Sequence, residues 1–442
     1  MKKRLFTAAL AAALILSLAA CGNNNTIKLP DVSGGDDSIL GTDFQKNMNQ
    51  SISFSIDSIC EVSDGYYFEF AGTGMLYYLD KDTGNSTIVC GKPDCDHEPV
   101  EGSACNALVY TQGLLTYFDG KLYYNNSNAT LENGQYVSKG ERLFSMNPNG
   151  TEHDAMQNLD FVPRGDTNMF VNVPMIHRGN VYFCYSGVLY TVPLGDDIEN
   201  ATKIFGDEII SDGSMIVDPN SVYYELWADG DMIYFMAKNI KQSNGTYKDT
   251  LFSYNPQTNK TDKVWQVPDK AEVGEWNTTG VSVSQWYISN GYIYFFLCGN
   301  DIWYTELATG ETNRLIDLDL EAGSAIFSNE YIAVIDKDYS GMISFTGESS
   351  VTGGDTLYIY GYDGKLLEEV SLEQVYKDCD TVSDCNLCFV DDGKVYIHVD
   401  ATVSGIYSDT YVSNTVQEHY LYYVDIASGK LIKTDWSYYY EY

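Results

Sequence analysis

Three cysteines and one histidine fall within sixteen residues of this chain, in the run Cys90-Gly91-Lys92-Pro93-Asp94-Cys95-Asp96-His97 followed by Cys105-Asn106-Ala107. Three thiolates and an imidazole are the donor set of a closed tetrahedral zinc site, in which metal binding orders a loop that buries little apolar surface. The competing chemistry is one disulfide among the three cysteines, with the third thiol free or paired elsewhere, as is usual outside the cytoplasm. Counting does not choose between them: of ten cysteines nine remain once Cys21 is set aside for lipid modification, and an odd total leaves at least one free thiol or ligand. Cys379, Cys385 and Cys388 form a second cluster late in the chain, where a disulfide to Cys60 becomes conceivable if the two ends of the repeat region meet. Cys184 and Cys298 lie in apolar runs and read as core residues. The loop reads as structural in either case, with a catalytic thiol the weaker alternative.

Other reactive patterns are sparse. The sequence has no Gly-x-Ser-x-Gly elbow, no His-Glu-x-x-His helix and no Gly-x-x-x-x-Gly-Lys phosphate loop. Asp80, Asp82 and Gly84 have the opening spacing of a calcium loop but lack its closing Glu, so they read as a turn. His153, His177, His398 and His419 occur singly near strands or turns and read as structural. An enzyme built from carboxylates on separate repeats would escape such a search, and the 62 acidic residues name no pair.

The elements that must position the cysteine loop follow a clear order. Lys2, Lys3 and Arg4 precede a nearly unbroken apolar run from Leu5 to Ala20, the pattern of a signal peptide and too short for a membrane span of about 20 residues. Leu18-Ala19-Ala20-Cys21 resembles the lipobox of bacterial lipoproteins, which implies diacylglyceryl modification of Cys21 and stable anchoring by more than one acyl chain. Residues 22–48, rich in Asn, Asp, Gly and Ser, read as a flexible tether. The expected organisation is therefore a signal peptide over 1–20, a lipidated tether over 21–48 and a folded domain over 49–442, on the extracytoplasmic face of the cell membrane.

Within that domain a turn, a glycine and paired aromatics recur: Asp64-Gly65-Tyr66-Tyr67-Phe68 is followed by copies at Gly120, Gly179, Gly230 and Gly291, by Asn329-Glu330-Tyr331-Ile332 without the glycine, and by Asp392-Gly393-Lys394-Val395-Tyr396. From Gly65 to Gly393 the mean spacing is about 55 residues, near propeller repeats. After each copy comes a second strand signature running into an Asp, Asn or Gly turn, as in Leu76-Tyr77-Tyr78-Leu79-Asp80 with Thr83-Gly84. One further strand on each side makes four per unit. The fold class is thus all-β, a propeller of seven four-stranded blades, with six or eight as alternatives, the weakest unit near Tyr331. Helix is nearly absent; Ser371-Leu372-Glu373-Gln374 leading to Lys377 suggests one short helix with a capping box.

These residues together resemble a group of Firmicute lipoproteins whose bodies look like TolB-like or LDL-receptor-like propellers, which share a Cys/Lys-Pro/Cys/His/Cys-x-Ala loop. The resemblance implies no activity, and those propellers have six blades. Charge narrows the partners. The sequence carries 26 basic and 62 acidic residues, a net of −36; loss of Lys2, Lys3 and Arg4 takes the mature chain to −39, which disfavours nucleic acid and holds the body away from anionic lipid. The function expected is a non-catalytic binding or scaffold propeller for a glycan, peptide or protein, with an extracytoplasmic enzyme acting on glycans or peptides as the alternative. Cys21→Ser is expected to release the protein into the medium or leave it uncleaved, read by detergent partitioning; unchanged membrane retention contradicts the anchor.

Overall fold

Residues 44–48, 50, 56, 58–98, 104–111, 113–132, 135–159, 173–185, 187–206, 215–216, 223–242, 247–267, 283–297, 301–318, 322–336, 356–378, 382–391, 393–403 and 416–441 are described by the structure, a computed structural model. In every repeat the glycine–aromatic signature becomes the second strand of an antiparallel sheet and the later signature becomes the third. Blade 1 comprises Ile59–Glu61, Gly65–Phe70, Met75–Asp80 and Ser86–Ile88. Blade 2 begins at Leu115–Phe118, blade 3 at Met175–His177, blade 5 at Val283–Ser289, blade 6 at Ala322–Phe327 and blade 7 at Val382–Val390. Seven sheets stand around one axis, with the first strands adjacent between blades 1 and 2 and along blades 3 to 7. Blade 4 departs from the pattern: its long second strand Met232–Gln242 pairs with Tyr223–Asp229 and, at its far end, with Met215–Ile216, giving five strands. The core is a series of clusters between neighbouring sheets, such as Trp227, Trp286, Tyr287 and Phe295 between blades 4 and 5.

The first turns of the blades are built in more than one way. In blades 2, 3 and 5 a two-residue loop has both central residues at positive φ: Asp119 and Gly120 at 46° and 78°, Arg178 and Gly179 at 48° and 71°, Asn290 and Gly291 at 53° and 80°. Such turns match the strand twist and favour glycine second. In blade 6, where Glu330 replaces glycine, the loop is longer and needs no left-handed residue. Ser328 Oγ accepts from the N–H groups of Glu330 (3.1 Å) and Tyr331 (2.9 Å) and donates to the Tyr331 carbonyl. Gly65 of blade 1 is required for a different reason, since a Cβ there would lie 2.4 Å from the Leu79 carbonyl oxygen and 2.5 Å from the Tyr78 ring.

Among the described residues no strand is shared between the ends of the ring: the described strands of blade 1 lie within residues 59–88 and those of blade 7 within residues 382–441. Side chains close the joint. Tyr66 donates its hydroxyl to Asp391 and packs against Phe389 and Tyr396 at 4.9 and 5.3 Å, and Phe68 meets Trp436 edge-on at 5.4 Å. Lys394 Nζ donates to the Lys81 carbonyl (2.6 Å), and the Ser86 N–H donates to Asp435 (2.6 Å). The one α-helix, among the described residues, is Glu373–Asp378. Ser371 Oγ accepts from the Glu373 N–H (3.2 Å), but Gln374 turns forward to Asp378 (2.6 Å), so the reciprocal half of the capping box is replaced by a bond along the helix.

Residues 44–48, within the segment read as tether, pack into the body. Together with Gln50 they lie across the axis at the hairpin-turn end of the first strands. The Gln45 amide both donates to the Glu61 carbonyl (2.7 Å) and accepts from the Glu61 N–H (2.8 Å); Gln50 does the same with Phe327 (2.6 and 2.8 Å). Lys46 pairs with Asp229 and donates to the Ile288 carbonyl (3.1 Å), and the Phe44 N–H donates to His177 Nδ1 (3.1 Å). Two substitutions test this account of the turns by thermal unfolding. Gly65→Ala is expected to destabilise the ring by about 1–3 kcal/mol through overpacking. Glu330→Gly, which restores the repeat signature, is expected to lower stability by about 0.5–1 kcal/mol because it adds only unfolded-state freedom; a gain in midpoint contradicts the Ser328 turn.

Candidate metal centre

The cysteine loop leaves the outer strand of blade 1 and returns along its third strand. Val89 N–H donates to the Leu76 carbonyl (3.0 Å), Leu76 N–H to the Ala107 carbonyl (2.8 Å) and Val109 N–H to the Gly74 carbonyl (2.8 Å). These bonds fix Cys90 and Cys105, at the two feet of the loop, on the sheet. Cys105 and Ala107 are buried, and Cys90 and Cys95 pack against the cluster of Tyr77, Trp436 and their neighbours between blades 1 and 7. Blade 2 closes the other side. Gly150, at φ +77°, lets its turn approach so closely that a Cβ would lie 2.4 Å from the Val89 carbonyl oxygen and 3.2 Å from Cys90 Cα. Lys92 donates its ammonium to the Ala104 carbonyl across the base of the loop.

The fold brings the four predicted donors together. The thiol sulfurs of Cys90, Cys95 and Cys105 and a ring nitrogen of His97 all lie within 4.8 Å of one another. His97 holds a left-handed φ of 58°, which reverses the chain after Asp96 and places its Nδ1 3.6 Å from Cys105 Sγ. Tetrahedral zinc with bonds of about 2.3 Å to sulfur and about 2.1 Å to nitrogen has a sulfur–nitrogen edge of about 3.6 Å, so this edge already has the length that coordination needs. Cys90 and Cys95 carry free thiols in this arrangement.

Backbone donors prepare the sulfurs for negative charge. Burial works to raise the Cys90 thiol, but hydrogen bonds from the Lys92 and Asn106 N–H groups and from the neighbouring thiols outweigh it and hold Cys90 below the ordinary thiol value. Burial pushes Cys105 up to about 12, against the opposing bond from the Ala107 N–H. In both, the N–H two residues on points at the sulfur, and such outer bonds orient ligands and stabilise thiolates on a metal. A dipositive ion would relieve the burial cost at Cys105.

The remaining sequence candidates are dispersed. Cys385 belongs to the cluster facing blade 6, Cys388 to the one facing blade 1, and Cys60, a free thiol whose pKa burial raises, to the cluster between blades 1 and 2. The expected second cysteine cluster and the Cys60 disulfide are therefore not formed among the described residues: one strand sends Cys385 and Cys388 into different interblade cores. Cys184 lies beside the core of blades 3 and 4 as expected; Cys21, Cys298 and Cys379 fall outside the described residues. Asp80 Oδ1 accepts from Asp82 N, Thr83 N and Thr83 Oγ1, so the calcium-like spacing is a turn. His153 meets the Tyr124 hydroxyl (3.0 Å), and His398 Nε2 meets His419 Nδ1 (3.2 Å), with burial lowering His419 to about 4. The axial segment, in contrast, carries no motif and was not foreseen.

No protein-family model and no curated protein matches this chain. Among solved structures, a computationally designed protein, Ika8, is similar at 11% identity over 82% of this chain and 96% of its own, with a TM-score of 0.41. An oligogalacturonate lyase in complex with manganese is similar at 12% identity over 71% and 77%, TM-score 0.44, and BamB from Moraxella catarrhalis at 12% over 77% and 82%, TM-score 0.35. Likeness at this level carries no inference about ligand or activity. For the metal centre the expected outcome is zinc near one per chain in purified protein, with thiols exposed by a chelator, and zinc lost in His97→Ala. Absence of metal together with thiols released only by a reductant means the loop is a disulfide.

Proposed function

We propose that the chain is a lipid-anchored, non-catalytic binding propeller on the extracytoplasmic face of the membrane, with zinc clasping its first blade. The observation that supports this is that residues 44–48 and 50 bond to the ends of the first strands of blades 1, 3, 4, 5 and 6, on the side where convergent acids of an enzyme would need open water. Zinc bound by Cys90, Cys95, His97 and Cys105 would neutralise the thiolates and cross-link the feet of the loop to its tip. Its residues act through packing: they hold blade 1 against blade 2 at Gly150 and share the blade 7 core at Tyr77.

The enzyme alternative finds less support in the carboxylates the fold does gather. Glu225 and Asp249 lie 3.2 and 3.4 Å from Lys238 Nζ, which is buried and also donates to the Val283 carbonyl (2.5 Å). Trp286 Nε1 donates to Glu225 (2.6 Å), and the Val283 N–H donates to Asp249 (3.1 Å). Burial raises Glu225 against the pull of Lys238. Both acids are thus occupied by one cation and fixed donors, which suits a clamp between blades 4 and 5; breaking the buried pair of Lys238 and Asp249 by removing one partner costs about 3–5 kcal/mol. The test is to present the purified protein with glycan and peptide libraries and analyse both retention and products. Retention without shortened products is expected, and Glu225→Gln should lower the unfolding midpoint only. Products formed by the wild type but not by Glu225→Gln overturn the non-catalytic reading.

A further inference from the structure

The contacts of the axial segment differ in kind from those that build the blades. Strands in this ring are held by ladders of backbone hydrogen bonds, but residues 44–48 and 50 pair with no strand. The ring meets them through side chains. Two primary amides cap the backbone of Glu61 in blade 1 and Phe327 in blade 6. One ammonium rests between Asp229 of blade 4 and the Ile288 carbonyl of blade 5. One phenyl ring lies edge-on at 5.1 Å to Trp227, and the Tyr287 hydroxyl donates to Asn47 (3.2 Å). The segment folds on itself, with Met48 N–H donating to the Gln45 carbonyl (3.2 Å) and Gln50 to the Lys46 carbonyl (3.1 Å), and Met48 is buried as an apolar anchor.

These are the interactions of a bound ligand: an aromatic group in an aromatic niche, a cation on a carboxylate, amides on exposed backbone and a buried apolar plug. The segment meets the Asp229 carboxyl group, the His177 ring, the N–H and C=O groups of Glu61 and Phe327, and the Trp227 face. We propose that the channel mouth is a peptide-binding site and that residues 44–48 and 50 are its resident ligand. The ligand class is a short turned peptide with an aromatic residue, a lysine two positions on and flanking glutamines. This deepens the reading of the ring as a binding protein and gives that reading a location, a site normally closed by the chain's own segment.

The test cuts the segment free in a protein that has already folded. A site-specific protease sequence is inserted between residues 51 and 55 of the full chain, and after cleavage the ring is challenged with a labelled synthetic peptide of residues 44–50, followed by anisotropy and near-ultraviolet circular dichroism. The expected result is a ring that keeps its dichroism, retains the cut fragment on gel filtration and exchanges it for excess peptide. The Gln45→Ala, Gln50→Ala peptide should bind at least about tenfold more weakly. A Lys46→Glu peptide should fail on the wild-type ring and recover on an Asp229→Lys ring, an outcome that a merely structural segment does not give. Unfolding on cleavage, a fragment that excess peptide never displaces, or equal affinity of all three peptides overturns the proposal. None of these readouts depends on lipid, zinc or turnover, so this site stands or falls apart from the wider reading of function.

Discussion

Closing seven sheets into a ring, with no strand shared between its ends among the described residues, is the constraint on which this structure depends. A strand donated from one end of the chain to the other would supply a ladder of hydrogen bonds at the closure; here the joint of blades 1 and 7 has aromatic packing and a few polar bonds instead. Tyr66 is central to it. Its ring packs against the stacked pair of Phe389 and Tyr396, and its hydroxyl reaches Asp391, the same residue whose Oδ1 accepts from the N–H groups of Gly393 and Lys394 in the first turn of blade 7. Turn and closure are thus one network. The cysteine loop borders the same joint, and the axial segment ties blades 1, 3, 4, 5 and 6 from within.

Much of this was legible in the sequence because strand pairing is local. Gly120, Gly179 and Gly291 mark two-residue turns whose positive φ only a short list of residues accepts, and the paired aromatics after them mark strands buried on both faces. Counting such pairs gives seven blades, against the six of the propellers the chain resembles. The sequence misleads at Glu330, where missing glycine suggests weakness; Ser328 builds the turn by side-chain hydrogen bonds, a substitution of mechanism that composition does not announce. It also misses the fifth strand of blade 4, whose two-residue partner Met215–Ile216 is too short for any periodicity.

The candidate metal centre was legible for a related reason, since its four donors are close along the chain and only the reversal at His97 had to be supplied by folding. Cys385 and Cys388 are as close in sequence, yet strand geometry separates them into different cores. Spacing alone therefore does not distinguish a ligand pair from two core residues; what distinguishes them is a polar loop around the first and alternating apolar residues around the second. The axial segment could not be read at all, because its partners Glu61, His177, Asp229, Tyr287 and Phe327 come together only when the ring exists.

That dependence orders events in time. Gln50 and its partner Phe327 are 277 residues apart, so the earliest part of the body to leave the ribosome is among the last to find its place. Blades can form singly as they appear, each being a local meander, but the channel mouth stays unfilled until blade 6 has been delivered. During that interval Phe44 and Met48 remain without their niches, and the growing arc has an open flank at either end. Ring and segment can therefore assemble together only once the sequence through blade 6 is complete.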